Sequence, residues 1–187
     1  MINNKVLIIG SGGREHAFAW AFNNDKNVKK IFCTPGNAGT SSICENVELN
    51  ISDHNEIIDF VKKNDITLTV VGPEVPLADG IVDSFTKHDL RIFGPDKVAS
   101  KLESSKIFAR DIMSKYDIPQ PKYYACSSIK EAKEVKDKIG LPLVLKADGL
   151  AAGKGVIICH NKHEFDKGLD QMFRKNIFGD AAKTISV

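Results

Sequence analysis

LVLKADGLAAGKGVIIC, from Leu143 to Cys159, joins two apolar runs of strand length through a tip of small residues. The first run ends at Lys146, and the second covers Val156 to Cys159. Apolar, β-branched runs that are bounded by clustered glycines are typical of strands joined by a turn. The stretch therefore predicts a β-hairpin with a flexible tip that carries a lysine.

The composition of this tip favours a phosphate ligand. Residues without bulky side chains let backbone N–H groups approach an anion, and Lys146 and Lys154 add positive charge. A nucleoside triphosphate fits this chemistry. The tip is not a Walker A loop, because Gly149 to Gly155 has one residue too few between its glycines and Gly155 stands where that motif has Ser or Thr. A strand also follows the tip, where a Walker A loop is followed by a helix. An ordinary glycine-containing hairpin is the alternative.

The start of the chain predicts a strand, a glycine loop and a helix. Lys5 to Ile9 has strand length, Gly10-Ser11-Gly12-Gly13 interrupts it, and Arg14 to Phe22 has helical character. This order opens nucleotide-binding α/β units, and glycine N–H groups at a helix N-terminus form an anion site. Arg14 and His16 either contact the ligand or face solvent.

The dinucleotide-binding fingerprint is incomplete in this loop. Its third glycine would fall on Glu15. The next strand, Val28 to Cys33, is followed by Thr34-Pro35 and not by the acidic residue that holds a ribose. The loop is therefore expected to face a phosphate-bearing ligand other than NAD.

Two further loops are expected at the same edge of the sheet. Pro35 to Thr40 follows the second strand, and Gly72-Pro73-Glu74 follows a third strand, Ile66 to Val71. Ligands of open α/β sheets collect at the carboxyl ends of the strands. Glu74 is a candidate for binding an amine or acting as a base, and the loop after the second strand is either a wall of the site or a plain connection.

The composition is that of a soluble globular protein. The chain has 187 residues, 42% of them apolar, and a net charge of +2 from 26 basic and 24 acidic residues, which gives no general attraction to nucleic acid or membrane. No apolar run approaches the ~20 residues that span a bilayer, and a cytoplasmic location is expected. The four cysteines have no zinc or redox spacing and are expected to be buried, reduced thiols: Cys33, Cys44, Cys126 and Cys159.

A stretch with two prolines, Ile118-Pro119-Gln120-Pro121, indicates a linker. We expect a Rossmann-like domain at residues 1–100, a helical linker at 101–121 and a small α+β domain at 122–187. Further predicted elements are a helix capped by Asp53, a helix carrying Asp79 and Asp83, a short strand within Arg91 to Pro95, two helical pieces from Lys97 to Tyr116, a strand at Tyr123 to Ala125, helices at Ser128 to Ile139 and Lys162 to Met172, and a strand-like tail at Thr184 to Val187.

Six motifs, in order, resemble one known family. They are GSGGREHAFAW at 10–20, TPGNAG at 34–39, VVGPEVPL at 70–77, IFGP at 92–95, LESSKIFARD at 102–111 and KADGLAAGKGVII at 146–158. Together they resemble the phosphoribosylamine-glycine ligases, also called glycinamide ribonucleotide synthetases, of the ATP-grasp superfamily. The resemblance runs from residue 5 to about residue 180.

The resemblance implies a fold and an activity. The implied fold is α/β, with a Rossmann-like (pre-ATP-grasp) parallel-sheet domain followed by the small ATP-grasp flap subdomain, and without the central ATP-grasp and C-terminal domains. The implied reaction joins glycine to 5-phosphoribosylamine, through glycyl phosphate, to give glycinamide ribonucleotide, ADP and phosphate in purine biosynthesis. Lysines and backbone amides suit such phosphoryl transfer.

The resemblance also implies two sets of binding residues. Those for ATP are Lys106, Lys146, Asp148, Gly149, Gly153, Lys154 and Gly155. Those for the ribonucleotide substrate are Gly10, Ser11, Gly12, Gly13, Arg14, Gly72, Pro73 and Glu74. ATP is the implied cofactor, and the Mg (or Mn) ligands of the family are expected outside this chain, which is assigned no metal ligand and no catalytic residue.

The chain departs from the family in its length. The family continues beyond the tail FGDAAKTISV, in which Ser186 is unexpected. We therefore expect an N-terminal portion that is inactive alone, with a mobile flap at Gly149 to Gly155. Its expected partners are 5-phosphoribosylamine, glycine and ATP, with no nucleic acid and no membrane, and it is expected to be a monomer unless another chain carries the missing domains. Another ATP-grasp carboxylate-amine ligase and a non-enzymatic nucleotide- or phosphate-binding module are the alternatives.

Overall fold

The computed structural model describes residues 4–151 and 153–187, so Ala152 of the predicted tip lies outside the described residues. The chain divides into two compact units, one ending at Ser100 and the other running from Lys101 to Val187. Residues 101–121, expected to form a linker, fall within the second unit. Within the described residues, no helix is long and apolar enough to cross a membrane.

The first unit is built on a five-stranded parallel sheet, as the α/β prediction requires. Its strands are β1 (Asn4–Gly10), β2 (Val28–Pro35), β3 (Glu45–Asn46), β4 (Leu68–Val71) and β5 (Ile92–Phe93). They lie in the order β3-β2-β1-β4-β5, and every neighbouring pair is parallel. The central strand β1 therefore delivers Gly10 to the carboxyl edge of the sheet between β2 and β4.

Helices connect these strands. They are α1 (Gly13–Asn23), α2 (His54–Lys63), α3 (Glu74–Asp79) and α4 (Ile81–Thr86). The predicted Asp53 cap is confirmed, because its Oδ1 accepts hydrogen bonds from the N–H groups of Asn55 at 3.0 Å and Glu56 at 3.2 Å. The single helix predicted to carry Asp79 and Asp83 is wrong: Gly80 takes φ +98°, a left-handed conformation that ends α3 and separates it from α4.

Both faces of the parallel sheet are buried. Leu7 and Ile9 of β1 pack with Ile57 of α2 and Phe85 of α4 on one face. Val6 and Ile8 pack with Ala19 and Cys33 on the other face. Burial on both faces explains why β1 reads as a continuous apolar run instead of an alternating one.

The second unit contains a four-stranded sheet in the order β6-β9-β7-β8, with antiparallel neighbours. Its strands are β6 (Ala125–Cys126), β7 (Leu143–Ala147), β8 (Val156–Cys159) and β9 (Ile185–Ser186). The predicted hairpin is confirmed, because β7 and β8 pair from Leu143 with Cys159 to Lys146 with Val156. Leu145, Phe165, Met172 and Ile185 are part of its core.

The helices of the second unit are α5 (Lys101–Ser104), α6 (Lys106–Lys115), α7 (Ile129–Ile139) and α8 (Lys162–Leu169). The helix predicted to reach Met172 leaves the α conformation after Leu169 and continues as a π-helical turn, Asp170–Arg174. A 3₁₀ turn, Gly179–Ala182, precedes β9. The strand predicted at Tyr123 to Ala125 lies slightly later, because its pairing with β9 begins at Ala125.

Candidate functional site

The glycine loop and two neighbouring loops line one cavity of about 530 Å³ in the first unit. Gly10 and Pro35 end β1 and β2, and Glu74 begins α3 just after β4, so these residues meet at the carboxyl edge of the sheet. The lining residues are Gly10, Ser11, Gly12, Gly13, Arg14, Glu15, Pro35, Ile51, Pro73, Glu74, Val75 and Pro76. The cavity thus gathers every residue predicted to bind substrate except Gly72.

Gly72 lies directly beside this cavity and contacts one of its residues. Its carbonyl oxygen accepts a hydrogen bond from Arg14 Nη1. Its N–H donates to the carbonyl oxygen of Ile9 at 3.0 Å. The structure therefore brings Arg14 and Gly72 together, and one N–H of the guanidinium is already used by the protein.

Glu15 is a site residue for which no function was predicted from the sequence. Its side chain is only 4% exposed, and its Oε2 accepts a hydrogen bond from the Gly12 N–H. The glycine loop therefore has less free anion-binding capacity than its sequence indicates. Glu15 lies three residues after Gly12, the residue that precedes α1. This spacing matches half of a capping box and can be recognised in the sequence.

Asn37 is a second residue for which no individual role was predicted, although its loop was a candidate wall of the site. Its Nδ2 donates to the carbonyl oxygens of Ser11 at 2.9 Å and Gly12 at 3.2 Å. Its Oδ1 accepts from the N–H groups of Gly39 at 2.7 Å and Thr40 at 2.9 Å. Asn37 thereby fastens the loop after β2 to the glycine loop, as Asn side chains commonly do in turns.

The residues predicted to bind ATP fall into separate places in the second unit. Lys106 Nζ donates to the Gly149 carbonyl oxygen at 3.3 Å, so these two meet. Lys146 lines a cavity of about 270 Å³. Lys154 lines a different cavity of about 590 Å³, together with Ala151. The hairpin thus carries its lysines toward distinct spaces.

The Lys146 cavity is positively charged. Arg110 and Lys122 line it with Lys146, and none of its described lining residues is Asp or Glu. Arg110 follows Lys106 by four residues on α6, a spacing that places both side chains on one helix face and could have been read from the sequence. Tyr123 also lines the cavity, and its hydroxyl donates to Asp111 Oδ1 at 2.6 Å, which raises the pKa of Tyr123. The arrangement suits an anionic ligand.

Asp148 uses its carboxylate within the protein. Its Oδ1 accepts from the Ile107 N–H at 2.7 Å, and its two oxygens accept from Ser105 Oγ at 3.1 and 3.0 Å. These contacts satisfy the first turn of α6, where backbone N–H groups lack helical partners. Asp148 therefore anchors the helix that begins with Lys106.

The tip of the hairpin is packed at one glycine and open at another. The Gly149 N–H donates to the Ala181 carbonyl oxygen at 3.0 Å, and a Cβ at Gly149 would lie 2.8 Å from Ala181 Cα. Gly153 has φ +75°, and a Cβ there would meet nothing within 4 Å. Glycine is thus required for close packing at one position and for backbone conformation at the other.

The thiols are free, and three of the four are buried. Cys44 is half-buried, so the prediction of a buried thiol is wrong for this residue. Burial, together with the neighbouring Cys44, raises the pKa of Cys33 to about 11. Residues 4–151 and 153–187 contain no cluster of three or more His, Cys, Asp or Glu side chains that could hold a metal ion.

Comparison with protein families identifies both units. Residues 4–103 match the description "Phosphoribosylglycinamide synthetase, N domain". Residues 104–187 match "Phosphoribosylglycinamide synthetase, ATP-grasp (A) domain". The chain belongs to the phosphoribosylglycinamide synthetase family. The predicted family and the predicted α/β fold with an ATP-grasp element are thereby confirmed.

Relatives within the phosphoribosylglycinamide synthetase family are longer than this chain. The phosphoribosylamine–glycine ligase of Clostridium acetobutylicum is 46% identical over 98% of the chain, which covers 44% of that protein. The crystal structure of the phosphoribosylamine–glycine ligase of Thermotoga maritima has a TM-score of 0.75 at 30% identity, over 97% of this chain and 42% of that one. The chain therefore corresponds to an amino-terminal portion, less than half, of these relatives.

A more distant structure shares the fold alone. The biotin carboxylase domain of the Hydrogenobacter thermophilus 2-oxoglutarate carboxylase has a TM-score of 0.79 at 16% identity, over 98% of this chain and 43% of that one.

Proposed function

We propose that this chain supplies the substrate-binding unit and the ATP flap of a phosphoribosylamine–glycine ligase. The whole enzyme would join glycine to 5-phosphoribosylamine at the expense of ATP, giving glycinamide ribonucleotide, ADP and phosphate. The observation that carries the proposal is the cavity of about 530 Å³ at the glycine loop, in a chain of this family. A cytoplasmic location, a monomeric state and small-molecule ligands complete the proposal.

The first unit is proposed to bind 5-phosphoribosylamine. Gly13 supports a close approach of the sugar phosphate, because a Cβ there would meet nothing within 4 Å. Arg14 supplies positive charge at the exposed side of the same loop. Glu74 lines the same cavity with a half-exposed carboxylate, which suits the amine of the substrate. Gly10, Ser11, Gly12, Gly72 and Pro73 complete the proposed binding set.

The second unit is proposed to bind ATP. Lys106 and Lys146 would offset phosphate charge, and the tip formed by Gly149, Gly153, Lys154 and Gly155 would cover the triphosphate. Asp148 supports this set by holding α6, the helix that begins with Lys106. Positioning and charge stabilisation carry most of the catalysis of phosphoryl transfer, so residues of this kind suffice for the proposed role.

The proposed reaction has two steps. A glycine carboxylate oxygen takes the γ-phosphoryl group, and ADP leaves. The amine lone pair of phosphoribosylamine then attacks the carbonyl carbon, phosphate leaves, and the amine loses a proton as the amide forms. The ligands of Mg²⁺ are proposed to lie in the part of the enzyme outside this chain.

Ribose 5-phosphate, added at millimolar concentration to the ¹⁵N-labelled 187-residue chain, tests the first unit. We expect amide shifts to concentrate at residues 10–15 and at Glu74 and Val75. Arg14→Gln should weaken this binding at least fivefold, whereas Arg91→Gln, which removes an exposed charge elsewhere in the unit, should leave it unchanged. A spectrum unaltered at 10-15 by 10 mM ligand would contradict the proposal.

An assay of turnover tests the expectation for the chain alone. With phosphoribosylamine formed in place from ribose 5-phosphate and ammonia, plus glycine and ATP, the 187-residue chain should release no ADP above background. The full-length Clostridium acetobutylicum relative serves as the positive control. Glycine-dependent ADP release by the short chain would show that it is a complete catalyst and would refute this part of the proposal.

A further inference from the structure

Glu15 occupies the position at which a dinucleotide-binding loop has its third glycine. It lies in the first turn of α1, a helix of 11 residues, and its side chain is 4% exposed. The side chain turns back toward the loop, where Oε2 accepts a hydrogen bond from the Gly12 N–H. In phosphate-binding loops, N–H groups at this end of a helix are the donors that hold the ligand anion.

Two other glycines make room for this carboxyl group. A Cβ at Gly10 would lie 2.6 Å from both Cγ and Cδ of Glu15. A Cβ at Gly72 would overlap the Glu15 carboxylate. Gly10 also has φ +130°, so a side chain would be strained there in addition. Gly10 of the glycine loop and Gly72 of the loop after β4 are therefore needed to accommodate an internal carboxylate.

The carboxylate also brings charge to the place where a diphosphate would lie. Within the described residues, no lysine, arginine or histidine side chain forms an ion pair with Glu15. A second anion could reach the Gly12 N–H only by displacing the Glu15 carboxylate. It would then still lie close to that carboxylate. Like charges at such distances repel strongly where water is scarce.

We propose that Glu15 is a specificity-determining residue that excludes diphosphate groups, and with them dinucleotides, from the glycine loop. The carboxylate acts as a built-in anion that takes up the Gly12 donor and fills the space between Gly10 and Gly72. Donors beyond it, at the Gly13 end of the loop, stay accessible. This inference concerns what the loop rejects, and it goes beyond the substrate proposed for the cavity.

Inorganic pyrophosphate tests the proposal when titrated into the ¹⁵N-labelled 187-residue chain and followed at the amides of Gly12 and Gly13. The wild-type chain should show no saturating shift at 10 mM. Glu15→Gly, which restores the third glycine, should bind pyrophosphate at the loop at least tenfold more tightly. Glu15→Gln, which keeps the volume and removes the charge, should show a smaller gain.

Asp59→Asn is the matched control, because it removes one negative charge from an exposed position of α2 in the same unit. It should not change pyrophosphate binding. Wild-type binding of pyrophosphate at Gly12 in the low millimolar range, or a folded Glu15→Gly chain with no gain, would overturn the proposal. If Glu15→Gly does not fold, the Glu15→Gln arm decides, since absence of any gain there contradicts the role of charge.

Ribose 5-phosphate separates this inference from the proposed substrate. A wild-type chain that binds neither ribose 5-phosphate nor pyrophosphate, while Glu15→Gly gains pyrophosphate, would refute the substrate and support the exclusion. A wild-type chain that binds both ribose 5-phosphate and pyrophosphate at the loop would support the proposed substrate and refute the exclusion of diphosphate groups.

Discussion

The Asp148 carboxylate accepts a hydrogen bond from the Ile107 N–H at 2.7 Å, across 41 positions of the chain. The Asp148 carbonyl oxygen also accepts from the Lys106 N–H at 3.2 Å. The residue after β7 thus fixes where α6 begins and how its first residue, Lys106, is presented. A negative charge at this end of the helix also interacts favourably with the helix dipole.

Removal of the Asp148 carboxylate should destabilise the second unit. Asp148→Ala leaves the Ile107 N–H without its partner and removes a charged helix cap, and we expect the free energy of unfolding to fall by about 2 kcal/mol. Urea unfolding of the 187-residue chain, followed by circular dichroism, measures this change. Asp137→Ala, at a side chain that is 71% exposed on α7, should change stability by less than about 0.5 kcal/mol. Equal losses for the two variants would refute the anchoring role.

Two glycines of the hairpin tip should respond differently to substitution. Gly149→Ala places a methyl group 2.8 Å from the backbone of Ala181, which cannot move aside cheaply, and should cost about 2 kcal/mol. Gly153→Ala meets no atom but must adopt φ +75°, and should cost about 1 kcal/mol. Thermal unfolding of the two variants shows whether Gly149→Ala lowers the stability more than Gly153→Ala.

Asparagine distinguishes the two causes. Because Asn tolerates the left-handed conformation, Gly153→Asn should be milder than Gly153→Ala. Gly149→Asn should be at least as damaging as Gly149→Ala, since it adds volume at a packed position. A milder effect of Asn at both positions would show that conformation and not packing governs Gly149.

Local signals in the sequence predicted most of the helices and strands in their order along the chain. The apolar run of β1, the glycine interruption and the following helix predicted the parallel unit, because both faces of β1 are buried. The paired apolar runs around the tip predicted the β7–β8 hairpin. Gly80 was missed as a helix breaker, since a single glycine inside a helical pattern is often tolerated.

The roles of the site residues depended on contacts that a local pattern does not contain. Asp148 lies in a hairpin tip whose composition favours a phosphate ligand. Its hydrogen-bond partners, however, are Ser105 and Ile107 at the start of α6. In the sequence, Glu15 replaces a glycine of a dinucleotide-binding motif. In the structure, its carboxylate fills the space beside Gly72, which lies far along the chain. The sequence therefore indicated which residues meet at the first-unit cavity better than what each side chain does there.

The buried thiols predict a loss of stability at alkaline pH. Burial raises the pKa of Cys33 and of Cys126 from 9.0 to about 11, so the folded state keeps these thiols neutral while the unfolded chain ionises. Their contribution is complete below pH 9 and is lost as pH rises through about 11. Urea unfolding between pH 8 and pH 11 should show the decline, and Cys126→Ala should make it shallower. An unchanged slope in that variant would contradict the assignment to Cys126.

Amide hydrogen exchange should divide the flap into an anchored part and a free part. The Ala147 N–H donates to the Gly155 carbonyl oxygen at 2.8 Å, and the Gly149 N–H donates to Ala181 at 3.0 Å, so both amides should exchange slowly. Gly153 is exposed, and we expect its amide to exchange at least a hundredfold faster. The predicted flap mobility would then include Gly153 and exclude Gly149, because closure over a nucleotide requires only the outer part of the tip to move. Similar protection at Gly149 and Gly153 would mean that the tip moves, or is held, as one piece.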